Sequence, residues 1–329
     1  KSFNKPVSHF VLGTVRKDEA GVGIQAMLSG CEIFNQDCSP WDVSYVATAS
    51  TLFSDCTVYD NAGVDWTDAD WSKCASLAAM FRNCLAFNRD ISRWKTPVNA
   101  TLYHTFRNAR SFNKPVNTHT VDGEKYWDVS NVTTLRETFR DARAFNQPLN
   151  EWDVSNVTNF YNTFSNAIKF NQDLSNWDVS KGTNFEQIFN VASSFDGDIS
   201  TWRFREDGPI ISKYMLGNTP CLYEDGKDLS GWNTGQFNSM FAFFYRSNLA
   251  RRNYWNEEDP SKLTYLGPGG IYYYPNWSPN IGGWDVGNVE TFSSCFYQCG
   301  TFNDDLSGWN VSSATTFNRM FHSCFLFDR

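Results

Sequence analysis

One motif recurs at a nearly fixed interval and limits what this chain can fold into. An aromatic residue followed by Asn or Asp stands at Phe3-Asn4, Phe34-Asn35, Tyr59-Asp60, Phe87-Asn88, Phe112-Asn113, Phe145-Asn146, Phe170-Asn171, Phe195-Asp196, Phe302-Asn303 and Phe327-Asp328. Trp277-Ser278 and the irregular Tyr223-Glu224 fill the long gap. Six of the eleven spacings are 25 residues, and the others are that number plus an insertion. A unit this short cannot bury its apolar side alone, so copies must pack on one another.

Two periodicities coexist in one unit. Trp152 and Val154 alternate with Asp153 and Ser155, a short strand signal. Val132, Leu135, Phe139 and Ala142 follow at i, i+3, i+7 and i+10, as do Val157, Phe160, Phe164 and Ala167, the inward stripe of a short helix. Ser130, Thr133, Ser155 and Thr158 are placed to cap its first turn. Pro or Asp stands two residues after the corner Asn, as at Pro148 and Asp173, which suits a turn. The fold class expected is α/β: a right-handed leucine-rich-repeat-like solenoid, with short parallel strands on one face, short helices on the other, and loop insertions. It would run over 1–329 as a single domain of about 12 coils, with an insertion loop at 242–276. The first copy begins and the last stops at the Phe-Asn corner, so we expect a segment of a longer chain or ends covered by neighbouring subunits.

The consensus W-D-V-S-N-V-T-x-F/L-x-x-T/M-F-x-x-A-x-x-F-N-Q-x-L resembles that of the BspA-like leucine-rich-repeat surface proteins. The resemblance is most specific across Tyr126 to Trp202 and Gly283 to Phe327, and weakens in 5–30, 60–73, 203–222 and 242–276. It implies a surface-exposed, non-catalytic protein of adhesive or structural type, with no shared active site.

Composition excludes several classes. Aromatic residues make up 17% and charged residues only 19%, against a usual charged fraction of about 25%, so the chain is not disordered. No apolar run reaches about 18 residues, so no membrane span is expected. The net charge of -8 and the absence of a basic run argue against nucleic acid.

Trp41, Trp66, Trp94, Trp127, Trp152, Trp177, Trp202, Trp232, Trp284 and Trp309 occupy one register position, as a buried ladder or a glycan-facing stripe; the register shared with Val favours burial. Asp42, Asp128, Asp153, Asp178 and Asp285 follow Trp and read as turn residues, with no metal claimed. The Asn column reads as a hydrogen-bonded ladder satisfying turn amides. Cys31, Cys56, Cys84, Cys299 and Cys324 lie three residues before the anchor, where other copies have Ala. Cross-copy disulfides, free buried thiols and, least favoured, metal binding are the alternatives, and nine cysteines leave at least one unpaired within the chain. Sequons occur at Asn99, Asn131, Asn156, Asn276 and Asn310; they are candidate N-glycosylation sites if the source is a eukaryotic secretory pathway.

No catalytic motif is present. His9, His104, His119 and His322 stand singly and read as surface or satisfied histidines. No cofactor is expected. The best candidate for function is the interruption after Phe244, rich in Tyr and Arg, residue types enriched in binding hot spots. Its candidate partner-binding residues are Tyr245, Arg246, Arg251, Arg252, Tyr254, Trp255, Tyr265, Tyr272, Tyr273 and Tyr274. The expectation is an extracellular or cell-surface repeat protein with a structural or adhesive role, in a surface fibre or filament, working through protein partners or self-association. The alternative is a receptor or lectin-like module holding a glycan or protein on the insertion.

Overall fold

The computed structural model describes residues 3–10, 12, 21–96, 101–219, 228–247 and 277–329, with backbone alone at 249–250, 265–267 and 271–273. The chain divides into two compact units, Lys1–Val157 and Thr158–Arg329.

The expected α/β solenoid with short helices does not form. Among the described residues the only helical stretch is a 3-10 turn, Asn61–Gly63, and even there Ala62 has φ 52°. Strands among the described residues are at most three residues long. In the first unit β1 (Val22–Gly23) pairs parallel with β2 (Val46–Thr48), β3 (Asp68–Asp70) parallel with β4 (Arg93–Lys95), and β5 (His119–Val121) antiparallel with β6 (Glu124–Tyr126). The last is a hairpin whose Asp122 and Gly123 both have positive φ, 52° and 82°, as a tight two-residue turn requires. In the second unit β7 (Leu249–Ala250), β8 (Tyr265–Gly267) and β9 (Ile271–Tyr273) form an antiparallel sheet in the order β7-β9-β8. The strand expected around Trp152 and Val154 is also absent; isolated parallel bridges such as Asn159 to Asn184 and Thr291 to Thr316 join copies further along.

The physical reason lies in the backbone of the stripe. Each copy carries two residues in the left-handed region, four apart: Thr51 and Asp55, Ala79 and Asn83, His104 and Asn108, Asn162 and Asn166, Gln187 and Val191, Ser294 and Gln298. A right-handed helix cannot run through them. The N–H groups therefore alternate in direction. Leu52, Ser54 and Cys56 donate to carbonyls three residues back (Ala49, Thr51, Phe53), whereas Thr51, Phe53 and Asp55 donate to Ala78, Met80 and Arg82 of the next copy at 2.8 to 3.1 Å. The same alternation recurs at Ala79, Phe81 and Asn83 onto Tyr103, Thr105 and Arg107, and in the second unit at Asn162, Phe164 and Asn166 onto Glu186, Ile188 and Asn190. Left-handed backbone costs about 1–2 kcal/mol per non-glycine residue. Hydrogen bonds between copies, about 1 kcal/mol net each, help offset it.

Side chains of the stripe still point inward, so the i, i+3, i+7 pattern identified the core correctly. Phe81, Phe106 and Phe139 stack at 5.8 and 5.5 Å, and Phe87, Phe112 and Phe145 at 5.8 and 5.9 Å; Phe106 meets Phe112 across the two columns at 4.2 Å. The second unit repeats this with Phe244, Phe296 and Phe321, both steps 5.5 Å. Such pairs add about 0.5–1.5 kcal/mol each beyond area burial.

Nine of the ten ladder tryptophans are buried rather than glycan-facing, and Trp309 is half-buried. Trp94 donates its indole N–H to the Trp66 carbonyl at 2.7 Å, Trp152 to Val116 at 2.7 Å and Trp284 to Leu229 at 2.8 Å, so each ring is anchored to the preceding copy. The Asn ladder is equally regular: the N–H of Asp60 donates to Asn35 Oδ1, that of Asn88 to Asp60 Oδ1, and that of Asn113 to Asn88 Oδ1, at 2.8 to 2.9 Å. The Asp residues after Trp are turn residues: Asp42, Asp128, Asp153 and Asp178 accept the N–H two residues on.

Candidate binding surfaces

With Phe, Trp and Asn taken up by the inner columns, one register position reaches the surface in several copies: the residue after the Phe of the column through Phe81, Phe106 and Phe139, called the second-column Phe below. In the second unit these are Ser165 and Asn190 after Phe164 and Phe189, then Tyr245, Tyr297 and His322 after Phe244, Phe296 and Phe321. Tyr245 and Tyr297 stack with centroids 4.9 Å apart and planes at 6°, and Tyr297 stacks on His322 at 4.9 Å and 18°. Tyr214, from the left-handed position two before Leu216, meets Tyr245 edge-on at 5.9 Å. Burial, then the charge of Tyr245, pushes the Tyr214 hydroxyl above its ordinary value. The Arg246 guanidinium lies 5.9 Å from the Tyr245 centroid, and its Nε is buried without a hydrogen-bond partner among the described residues. The result is a row of ring edges and hydroxyls beside a cation, suited to a partner offering both apolar surface and acceptors.

Two predicted binding residues, Tyr245 and Arg246, belong to this strip. Tyr265, Tyr272 and Tyr273 fall in β8 and β9, where Tyr265 pairs with Tyr273 and Leu266 with Tyr272. Arg251, Arg252, Tyr254, Trp255 and Tyr274 lie outside the described residues. Sequence reasoning missed Tyr214, Tyr297 and His322 as members; the available signal was the shared register of Tyr245, Tyr297 and His322.

In the first unit the same position holds buried Ser54 and then Arg82, Arg107 and Arg140. Beneath them the Glu137 carboxylate, 5% exposed, takes His104 Nε2 at 3.2 Å, Arg107 Nε at 3.1 Å and Arg140 Nη1 at 3.2 Å. Burial pushes this carboxyl up, but His104, 3.2 Å away, and the charges of Arg107 and Arg140 outweigh it and hold it at about 2. His104 is thus a buried partner of an acid. A hollow of about 520 Å³ beside Arg203, Arg205, Glu206 and Asp207 carries both charge signs.

Cys31, Cys56, Cys84, Cys299 and Cys324 are present as thiols, with no disulfide among the described residues. Cys56 donates through Sγ to the Leu28 carbonyl at 3.0 Å, Cys84 to Phe53 at 3.0 Å and Cys324 to Phe296 at 2.9 Å, each reaching the preceding copy. Among the described residues no group of three or more His, Cys, Asp or Glu is placed to hold a metal. Of the sequon asparagines, Asn131 and Asn310 are exposed, Asn156 gives its amide to the Ser130 carbonyl at 2.8 Å, and Asn99 and Asn276 lie outside the described residues. No helix among the described residues is long and apolar enough to cross a membrane.

The family model described as "Mycoplasma protein of unknown function, DUF285" matches residues 1–73, 24–125, 118–225 and 271–329. The chain belongs to this family. The DUF285 matches fall in succession along the chain, as expected of a repeated unit. No curated protein and no solved structure matches it.

Proposed function

We propose that this DUF285 member is an extracellular or cell-surface repeat protein with a structural or adhesive, non-enzymatic role, acting through protein contacts or self-association in a surface fibre. The observation that carries this reading is the division of labour within each copy. Inner columns keep Phe, Trp and Asn or Asp, whereas the position after the second-column Phe changes from copy to copy, through Ser54, Arg82, Arg107 and Arg140 in one unit and Ser165, Asn190, Tyr245, Tyr297 and His322 in the other. A constant frame with a variable outer face suits a display or contact protein. The resemblance to BspA-like surface proteins supports the same location. Electron microscopy of native material, with antibody labelling of intact cells, tests it. Surface label on ordered end-to-end or lateral assemblies supports the proposal; intracellular label or isolated monomers would overturn it.

A second reading, a glycan- or protein-binding receptor module, is favoured by the Tyr245, Tyr297 and His322 column beside Arg246. Saturable binding abolished by Tyr297→Ala, with the protein monomeric on the cell surface, would select it.

A further inference from the structure

The net charge of -8 conceals a local reversal of sign. Arg82, Arg107 and Arg140 stand on successive copies whose underlying phenyl rings are 5.8 and 5.5 Å apart. Arg136 joins them, its guanidinium 5.3 Å from the Tyr103 centroid. The side chains of Arg82, Arg107, Arg140 and Arg136 are 34%, 32%, 35% and 45% exposed, while Glu137, which the last three share, is 5% exposed. Two further acids on this face are Asp55, 2.9 Å from Arg82, and Asp141, 3.5 Å from Arg140. The shared countercharge of Arg107, Arg136 and Arg140 is therefore buried beneath the cations, whose side chains stay a third to nearly half exposed. Guanidinium groups are planar forks matched to oxyanions, and a column of them at a fixed step suits a linear polymer with regularly spaced anionic groups.

We propose that this face of the first unit binds a sulfated linear polysaccharide. Sulfate groups keep their charge over the whole working pH range and offer the oxyanion geometry that the arginines fit. Nucleic acid fits less well. Single-stranded binding needs open aromatic faces on which bases stack, but Tyr103 has Arg136 over its ring and His104 stacked at 3.6 Å. The inference uses the arginine column that the proposed function also draws on but concerns a different partner class, so failure of heparin binding leaves the fibre reading standing and loss of ordered assemblies leaves this one standing.

The test is binding of the full chain to heparin as the sulfated probe, across a salt series. The double variant Arg82→Gln, Arg136→Gln should bind at least tenfold more weakly, and its slope of log affinity against log salt should fall by about two, one for each arginine–sulfate ion pair removed. Arg203→Gln in the second unit should change neither. In the unmodified protein, heparin should shield Arg107 and Arg140 from phenylglyoxal and leave Arg203 reactive, a readout independent of variant folding. Retained affinity in the double variant, an equal loss in Arg203→Gln, absence of shielding, or tighter binding of a single-stranded DNA of matched charge would each overturn the proposal.

Discussion

Asn88 accepts the backbone N–H of Asn113, one copy further along, through its Oδ1 at 2.9 Å, while its own N–H donates to Asp60 Oδ1 at 2.8 Å. One side chain thus caps the corner of the next copy as its own corner is capped by the previous one. Replacing Asn88 with Leu leaves the Asn113 N–H without its acceptor and should cost about 1–3 kcal/mol. Asn88→Asp should be nearly neutral, since Asp60 already fills the equivalent role. Denaturant unfolding of both variants checks this.

Val191 has φ 63°, an unfavourable conformation for a β-branched residue. Asn166 and Asn218 occupy the same register position with φ of 58° and 54°. Val191→Asn should keep the N–H bond to the Gly217 carbonyl and stabilise the protein by about 1 kcal/mol. A shift of the unfolding midpoint to higher denaturant is the expected result.

Glu137 gives stability a defined pH dependence. Its folded-state pKa, about 2, lies below its ordinary value of 4.5, so its contribution is fully present above about pH 4.5 and is lost as pH falls towards 2. That contribution is on the order of 3 kcal/mol. Glu137→Gln should be less stable at neutral pH, and the difference in unfolding free energy between the two proteins should shrink as pH falls through this window. A difference constant from neutral pH to pH 2 would refute the assignment.

Burial pushes the Cys56 thiol up to about 12 and the Cys84 thiol well above its ordinary value. Because the thiolate is the reactive species, iodoacetamide at neutral pH should leave both unmodified in the folded protein and label them on unfolding. Mass spectrometry of the two peptides reads the outcome directly, and a disulfide would show as thiols released only by reductant.

Much of the packing was legible in the sequence. The Phe and Trp columns, the Asn ladder and the Asp turns all follow from the period, because stacking equivalent residues is the one way such short units bury their apolar side. The helix was misread because Val157, Phe160, Phe164 and Ala167 point inward on a turn ladder just as they would on a helix. The distinguishing signal was present: Asp55, Asn83, Asn108, Asp141 and Asn166 each stand two residues after a second-column Phe, and Asn and Asp are the side chains that best tolerate left-handed backbone. The outer faces were harder to read. The arginine column and the Glu137 carboxylate it shares vary from copy to copy, and a net charge of -8 hides them.

The central claim is that the turn segments hydrogen-bond from copy to copy instead of coiling into helices. Phe81 states it most simply: its N–H donates to the Thr105 carbonyl at 3.0 Å. Measurement of scalar couplings across hydrogen bonds by NMR tests this directly. A coupling between the Phe81 amide nitrogen and the Thr105 carbonyl carbon is predicted, whereas a coupling to Leu77, four residues back as in an α-helix, would contradict the account.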